Sequence, residues 1–389
     1  MSITGPAGFV AASGAAGIKS AGTPDVAVVS TADGRPVPAA GVFTANLAPA
    51  APVIVSRRHL VESGGRAAAV VLTSGNANAA TGEPGTQAAA RLCELVGEEI
   101  GSDGAHVLVC QTGLIGIPFP IEVASTAIGT IVATRGSGRA DASGAAAAIL
   151  TTDTVAKEVL VERDGFSVGA MAKGAAMLAP HMATMLAVLT TDARVDPPEL
   201  QAALAAAVGP SFNSLSVDGC TSTNDTVIVL ASGLAGPPPP GALEAALTEV
   251  CGSLAEQMAA DAEGATKVIR IRVTGAVSDA EAHQAARRVG DSLLVKCSFN
   301  GEDPYWGRVV SELGTAGVAF DPALVSISYG GTAVCRDGVG AEHDRAAVGA
   351  HMAGRHIDLH CELGLGQGTG AVLTTDLGYG YIDENRTTS

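Results

Sequence analysis

Short runs made only of apolar residues recur along the first half of the chain, and each ends in a polar turn. Residues 67–72 lead into the turn at 74–78, and residues 107–110 lead into 111–116. A third run covers residues 185–189. Uninterrupted apolar runs of this length are typical of strands that are covered on both faces. The chain is therefore expected to bury its strands between other layers, with functional residues in the turns where the strands end.

The side chains available to fill such layers are small. Hydrophobic residues make up 47% of the 389 residues but aromatic residues only 3%, so Ala and Val must form much of the core. The formal net charge is −16. A chain this acidic repels phosphate backbones and anionic lipid, which argues against a nucleic-acid or membrane-surface function.

The cysteines and the chain start indicate a reduced, cytoplasmic setting. The seven cysteines are scattered and contain no C-x-x-C pair, a pattern typical of free thiols rather than of disulfides or a zinc site. No apolar run reaches the ~18 residues that a membrane span requires. The first residues lack the basic start and unbroken apolar stretch of a signal peptide. A cytoplasmic protein is therefore expected.

The later part of the chain has a different character. Residues 242–260 predict a helix, because their apolar side chains share one face. Residues 267–274 and 356–363 alternate apolar and polar side chains, as half-exposed strands do. Ser278 followed by Glu281 is a capping box that begins a further helix. These features predict a separate α+β lobe from about residue 275.

Three familiar motifs lack the neighbouring structure or the spacing that their functions require. Residues 165–169 match G-x-S-x-G, but they read as a turn before a strand, whereas a nucleophile elbow closes a strand and opens a helix. The glycines of residues 364–370 are followed by a strand rather than by the helix of a phosphate loop. His356 and His360 would lie about 13 Å apart on a strand, too far to share one metal ion. No metal site is therefore expected.

The segment 173–186 is the one most informative about chemistry. A loop broken by Gly and Pro runs into Ala183-Thr184, and an apolar strand begins at once. A threonine hydroxyl is a poor nucleophile unless a base takes its proton, and a free amine on the same residue can do so, since its ordinary pKa is ~7.7–8.0. Producing that amine requires cleavage of the Ala183–Thr184 bond. Taken by itself, a threonine at such a junction is ordinarily a strand residue.

Resemblance to a known family changes that interpretation. Residues 173–193, KGAAMLAPHMATMLAVLTTDA, closely resemble the self-processing segment of the ornithine acetyltransferase (glutamate N-acetyltransferase) family, in which the bond before the Thr of A-T-M-L breaks. Further runs resemble the family in the same order along nearly the whole chain: 41–44 (GVFT), 74–82 (SGNANAATG), 112–116 (TGLIG), 151–154 (TTDT), 222–226 (STNDT), 261–264 (DAEG) and 306–308 (WGR).

The resemblance implies a fold, an assembly and a reaction. The fold is α/β, of the layered α-β-β-α type that DmpA-like proteins share, with a smaller C-terminal α+β lobe. Cleavage would give an α chain of residues 1–183 and a β chain of residues 184–389, which stay folded together and pair again into an α2β2 heterotetramer. In the implied ping-pong reaction, Thr184 takes the acetyl group of N2-acetyl-L-ornithine and passes it to L-glutamate. No cofactor is implied.

The resemblance also assigns roles to residues at matching positions. Thr112 and Gly113 are expected to form the oxyanion hole, with a hydroxyl and a backbone N–H directed at the reacting carbonyl oxygen. Lys173 suits the α-carboxylate of the substrate, and Glu263 suits the terminal ammonium of ornithine. The residues expected to hold the amino-acid substrate are Thr151, Lys173, Thr184, Glu263, Asn385 and Ser389.

Two departures from the family pattern bear on specificity. Tyr305 stands in D-P-Y-W-G-R where the family usually has Asn, and the segment after Asn385 is one residue shorter than usual. The assignment of Ser389 to the substrate depends on that shortened segment. Both changes leave room for a specialised paralogue with another acceptor.

Three alternatives stay open at the level of sequence. The acyl-enzyme could be hydrolysed, which would make the protein an amidase or aminopeptidase of the related fold. The enzyme could also accept acetyl-CoA as donor. An uncleaved, non-catalytic paralogue is the third alternative, and the intact Ala183-Thr184 motif argues against it.

Overall fold

The computed structural model describes residues 2–20, 22–178 and 185–386. The expected cleavage residues Ala183 and Thr184 lie outside these ranges, as does Ser389. The other residues expected to form the site lie within them.

Strands and helices alternate along the described chain. The strands are β1 (Phe9–Gly14), β2 (Val26–Thr31), β3 (Val37–Phe43), β4 (Arg66–Ala67), β5 (Ala69–Asn76), β6 (Val107–Leu114), β7 (Lys157–Arg163), β8 (Phe166–Lys173), β9 (Leu186–Thr191), β10 (Leu215–Ser216), β11 (Thr226–Ala231), β12 (Val268–Ala276), β13 (Ser326–Tyr329), β14 (Thr332–Arg336), β15 (Val339–Gly340), β16 (His356–Glu362) and β17 (Gly368–Thr375). The helices are α1 (Ala51–Glu62), α2 (Gly82–Ile100), α3 (Ile121–Ala133), α4 (Arg139–Ala148), α5 (Pro197–Val208), α6 (Ala242–Ala260), α7 (Asp279–Gly290), α8 (Leu293–Asn300), α9 (Trp306–Leu313), α10 (Arg345–Ala353) and α11 (Tyr379–Glu384).

The chain divides into two compact units. The first unit spans Met1–Asn213 and Cys220–Met258, and the second spans Ser214–Gly219 and Ala259–Thr388. The sequence predicted a C-terminal lobe from about residue 275. The second unit begins earlier in the chain, and it also takes in the short strand β10.

The first unit contains two mixed sheets in the described part of the chain. One sheet has the strand order β1-β2-β5-β6, in which β5 and β6 are parallel. The other has the order β4-β3-β11-β9-β8-β7, in which β9 and β11 are parallel. Every residue of β2, β9 and β11 is buried. The apolar run at residues 185–189 therefore lies in a strand covered on both faces, as predicted.

The two sheets pack face to face. Their shared core contains Val29 and Leu72 from the first sheet and Leu186, Val188 and Ile228 from the second. Helices α1, α2 and α3 cover the outer face of the first sheet, and α5 packs on β3 and β11 of the second. The layered α/β architecture expected from the resemblance is confirmed.

The second unit is a mixed sheet with helices packed on it. The order of its described strands is β10-β17-β12-β16-β13-β14-β15. The expected strands at residues 267–274 and 356–363 are β12 and β16. The expected helix at 242–260 is α6, which belongs to the first unit up to Met258. The Ser278 hydroxyl accepts the N–H of Glu281 at the start of α7, which is the first half of the predicted capping box. The Glu281 carboxylate instead accepts the N–H of Ala319 at 3.1 Å.

Ser167 of the G-x-S-x-G run lies within strand β8 rather than between a strand and a helix. Its backbone N–H donates to the Asp192 carboxylate at 2.7 Å. The context of a nucleophile elbow is therefore missing at Ser167, as the sequence indicated.

Within residues 2–20, 22–178 and 185–386, no helix has both the length and the apolar character needed to cross a bilayer.

Candidate active site

Thr112 and Gly113 lie at the end of β6, where its pairing with β5 becomes irregular. Asn76 pairs with both Thr112 and Leu114, and Gly113 has a φ of +134°. A Cβ atom at Gly113 would lie 2.2 Å from the backbone carbon of Gly75, so a larger residue cannot take this conformation. Thr112 is buried and Gly113 is exposed. The bulge therefore leaves the Gly113 backbone accessible beside the buried Thr112 hydroxyl.

The Lys173 ammonium joins two of the expected site residues. Lys173 ends β8 and is 3% exposed. Its Nζ donates to the Thr151 hydroxyl at 2.7 Å and to the Thr112 hydroxyl at 3.4 Å. Residues from two sheets and from the loop after α4 therefore meet at one cation, although they are far apart in sequence.

The Asp153 carboxylate forms an ion pair with the Lys173 ammonium. Its carboxylate lies 3.7 Å from the Lys173 ammonium and 2.7 Å from that of Lys157, and both lysines are almost fully buried. The Gly174 N–H donates to it at 2.6 Å. Burial by itself raises the pKa of Asp153, but the charges of Lys173 and Lys157 and the hydrogen bonds outweigh it and lower the pKa to about 2. Asp153 is therefore a buried carboxylate.

Asn224 ties the 222–226 segment to the end of β6. Its side-chain amide donates to the carbonyl of Ala77 at 2.6 Å and to that of Gln111 at 2.8 Å. The Gln111 amide in turn donates to the Thr73 hydroxyl at 3.1 Å. Because Gln111 directly precedes Thr112, this network fixes the strand end that carries the expected oxyanion hole.

Asp225 lies next to the start of β9 and is fully buried. Its Oδ1 accepts the N–H of Met185 at 3.1 Å. Burial raises the pKa of Asp225 well above its ordinary value, against the opposing effects of the Met185 N–H and the Lys173 charge. Met185 is covalently bonded to residue 184, so the Asp225 carboxyl group contacts the residue that follows the expected nucleophile.

Glu263 and Asn385 meet in the second unit. The Asn385 amide donates to Oε2 of Glu263 at 2.7 Å. Glu263 follows α6, and the next residue, Gly264, has a φ of +64° with its Cα close to the backbone of Tyr381. This close approach between the loop and α11 brings the two expected substrate residues together.

The structure thus groups Thr112, Thr151 and Lys173 in the first unit and Glu263 with Asn385 in the second. It also identifies Asp153 and Asp225, to which sequence reasoning assigned no role. Both lie in runs that resemble the family, 151–154 and 222–226. In the part of the chain that the structure describes, no three His, Cys, Asp or Glu side chains cluster as metal ligands would. The first-unit group is a cation flanked by hydroxyls, which suits a carboxylate or a developing oxyanion.

Comparisons with known proteins cover nearly the whole chain. A model of the ArgJ family matches residues 10–387. A protein of Mycolicibacterium paratuberculosis named arginine biosynthesis bifunctional protein ArgJ is 46% identical, over 98% of this chain and 95% of its own length. The protein of the same name from Thermobifida fusca is 45% identical, over 99% of both chains.

A solved structure also matches part of the chain. It is the ornithine acetyltransferase of Mycobacterium tuberculosis complexed with ornithine. It is 39% identical, covers 46% of this chain and 94% of its own, and superposes with a TM-score of 0.44.

Asp153→Asn is expected to destabilise the protein by about 3–5 kcal/mol at pH 7, because it removes the carboxylate that compensates two buried ammonium groups. The pKa of Asp153 is depressed in the folded protein, so its contribution is present above about pH 4 and is lost as the pH falls towards 2. Denaturant unfolding of wild type and variant at pH 7 and pH 3 should therefore give a smaller difference at pH 3.

Asp33→Asn is the control for this prediction, because Asp33 is 63% exposed and pairs with Arg35 at the surface. It should change the free energy of unfolding by less than about 1 kcal/mol. Equal effects of the two substitutions at pH 7 would contradict the role given to Asp153.

Proposed function

The chain belongs to the ArgJ family, and from that premise we propose that it moves the acetyl group of N2-acetyl-L-ornithine to L-glutamate through an ester on Thr184. It is an acetyltransferase of arginine biosynthesis. The observation that carries the catalytic part of the proposal is the buried Lys173 ammonium, which donates to both Thr112 and Thr151 in the first unit.

The first step is cleavage of the chain before Thr184. The Thr184 hydroxyl attacks the carbonyl carbon of Ala183, the peptide bond gives way to an ester, and water hydrolyses the ester to free the carboxylate of Ala183 and the amine of Thr184. The hydrogen bonds of Met185 support this assignment. Its N–H donates to Asp225 at 3.1 Å and its carbonyl accepts the N–H of Thr226 at 3.1 Å. The chain is therefore held at the residue after the cleaved bond.

The second step is acetyl transfer to the hydroxyl of Thr184. The freed amine takes the hydroxyl proton while the oxygen attacks the acetyl carbon of acetylornithine. Negative charge develops on the acetyl oxygen, and the Thr112 hydroxyl and Gly113 N–H are suited to stabilise it. The burial of Thr112 favours this role, since hydrogen bonds gain strength where water is excluded.

Charge complementarity supports the substrate assignment. Lys173 offers a cation for the α-carboxylate that ornithine and glutamate share, and Thr151 adds a hydroxyl beside it. Glu263 offers a carboxylate for the terminal ammonium of ornithine, and its bond to Asn385 fixes the orientation of that carboxylate. Glutamate has a carboxylate in place of this ammonium, so the same site must accept both charges.

Three further features belong to the same proposal. The chains 1–183 and 184–389 stay associated, pair again as an α2β2 heterotetramer and work in the cytoplasm, with Ser389 at the substrate.

The relatives carry the word bifunctional in their names. Acetylation of glutamate from acetyl-CoA is a second activity that the same acetyl-Thr184 ester permits.

The hydrolase alternative loses support, because the relatives match almost end to end and are named for biosynthesis.

Self-cleavage is expected to be visible in the intact mass of the purified protein. The 38.4 kDa chain should appear as two fragments of about 18 and about 20 kDa, since residues 1–183 are a little under half of its length. Thr184→Ala removes the attacking oxygen and should stay whole. Thr184→Ser keeps the oxygen and should still cleave. A wild-type chain that stays whole would falsify the proposed function.

Thr112→Ala is expected to lower kcat by about 10²–10³-fold with little change in KM, because the hydroxyl acts on charge that develops only in the transition state. Thr126→Ala, on an exposed face of α3, is the control and should leave both constants unchanged. A raised KM with unchanged kcat would instead make Thr112 a substrate-binding residue. The assay is steady-state transfer from acetylornithine to glutamate, measured on fully cleaved protein.

A further inference from the structure

Lys19 lies beside the site, and neither cleavage nor acetyl transfer uses it. Its side-chain nitrogen donates to the carbonyl oxygens of Leu150 at 2.6 Å and Ala148 at 3.4 Å. Ala148 is the last residue of α4, and the last carbonyls of a helix have no partner within it, so a lysine often donates to them. Lys19 therefore closes the end of α4 and holds the loop that carries Thr151.

The peptide group between Leu150 and Thr151 is held from both sides. Its carbonyl oxygen accepts the bond from Lys19, and its N–H donates to the Asp153 carboxylate at 3.2 Å. The same carboxylate pairs with Lys173, which in turn donates to the Thr151 hydroxyl. Because a peptide group is planar, fixing its oxygen and its nitrogen fixes the direction in which the chain enters Thr151. Lys19 therefore affects the orientation of the Thr151 hydroxyl.

The segment that carries Lys19 is itself fixed. The buried Asp25 carboxylate accepts the N–H groups of Ile18 at 2.7 Å and Lys19 at 3.0 Å. The stem of Lys19 packs on Gly75, where an added Cβ atom would lie 2.9 Å from the Lys19 Cγ. Gly75 in turn pairs with Gly113 of the expected oxyanion hole. Lys19 therefore reaches the Thr151 loop from a fixed position in the first unit.

Lys19 also lies close enough to Lys173 for their charges to interact. Burial lowers the pKa of Lys19, Asp25 opposes that effect, and the Lys173 charge lowers the pKa further. The side-chain nitrogen of Lys19 donates to the carbonyl of Pro24 as well, at 3.5 Å, so its three hydrogen bonds all go to carbonyls. Lys19 therefore acts on the site through the Thr151 loop rather than by binding substrate.

We propose that Lys19 is a positioning residue for the substrate carboxylate, because it keeps the Thr151 hydroxyl beside Lys173; this rests on the proposed function. Acetylornithine and glutamate both bring an α-carboxylate to that pair of donors. The carboxylate is present in the ground state and in the transition state alike, so loss of the Lys19 contacts weakens binding without changing the chemical step. The affinity for both substrates therefore depends on a residue that touches neither.

The test compares wild type with Lys19→Met, both as cleaved enzyme. Methionine keeps an apolar stem against Gly75 but cannot donate to the Leu150 carbonyl. We expect kcat/KM to fall at least about tenfold for acetylornithine and for glutamate, while kcat at saturating substrate changes by less than about twofold. An unchanged kcat/KM, or a loss confined to kcat, would overturn the proposal.

Arg135→Met is the matched control, because Arg135 is a half-buried cation that closes another helix of the first unit. Its Nε donates to the Val132 carbonyl at 3.0 Å at the end of α3, and a terminal nitrogen donates to the Ser30 hydroxyl at 3.1 Å. The variant should keep the wild-type kcat/KM for both substrates. A loss as large as that of Lys19→Met would reduce the effect to general loosening of the first unit and would contradict the proposal.

A second measurement needs no variant. If the Lys19 contacts favour carboxylate binding, a bound carboxylate must stabilise those contacts by the same free energy. Amide hydrogen exchange of the cleaved wild type should therefore slow in residues 16–19 as well as in residues 150–154 when ornithine is saturating. Protection of 150–154 alone would overturn the Lys19 assignment, even if the variant fails to fold. Protection of neither segment would overturn the substrate assignment of the proposed function, and the Lys19 assignment with it.

Discussion

A buried positive charge at the end of a strand is the constraint on which the rest of the site depends. Lys157 and Lys173 are almost fully buried, and in the described residues both pair with the Asp153 carboxylate. These buried cations lie within a chain whose net charge is −16. Such cations are stable only where polar groups solvate them, and they attract anions. We therefore propose that the substrate carboxylate binds beside Lys173 and Thr151.

The sequence predicts the layered fold where a strand is covered by apolar side chains on both of its faces. Strands are harder to predict where they bury polar side chains. The run at 185–189 predicted β9 because its side chains face two apolar layers. The run at 107–110 predicted only half of β6, which continues through Gln111 and Thr112 to Leu114. Gln111 is buried because its amide reaches Thr73 and Asn78 in neighbouring segments. Apolar patterning cannot detect a strand that is held by side-chain hydrogen bonds.

The site residues likewise include some that the sequence indicated and some that only the structure shows. The residue types of the 173–186 segment indicated a nucleophile chemistry only together with the resemblance, because a threonine before a strand is common. Asp153 and Asp225 were part of runs that resemble the family, but nothing in their spacing linked them to Lys173 or Met185. Their importance comes from contacts across strands, at 3.7 Å to Lys173 and 3.1 Å to Met185, and from complete burial. Those are properties of the folded chain.

The most direct test of the account is the fate of the acetyl group when the acceptor is withheld. Cleaved enzyme is incubated with N2-acetyl-L-ornithine alone, and the intact mass of the 184–389 chain is measured. This chain is expected to gain one acetyl group while one equivalent of ornithine is released, and glutamate should then discharge the ester as N-acetylglutamate. Free acetate that accumulates without glutamate, or transfer to glutamate with no acetylated chain along the way, would contradict it.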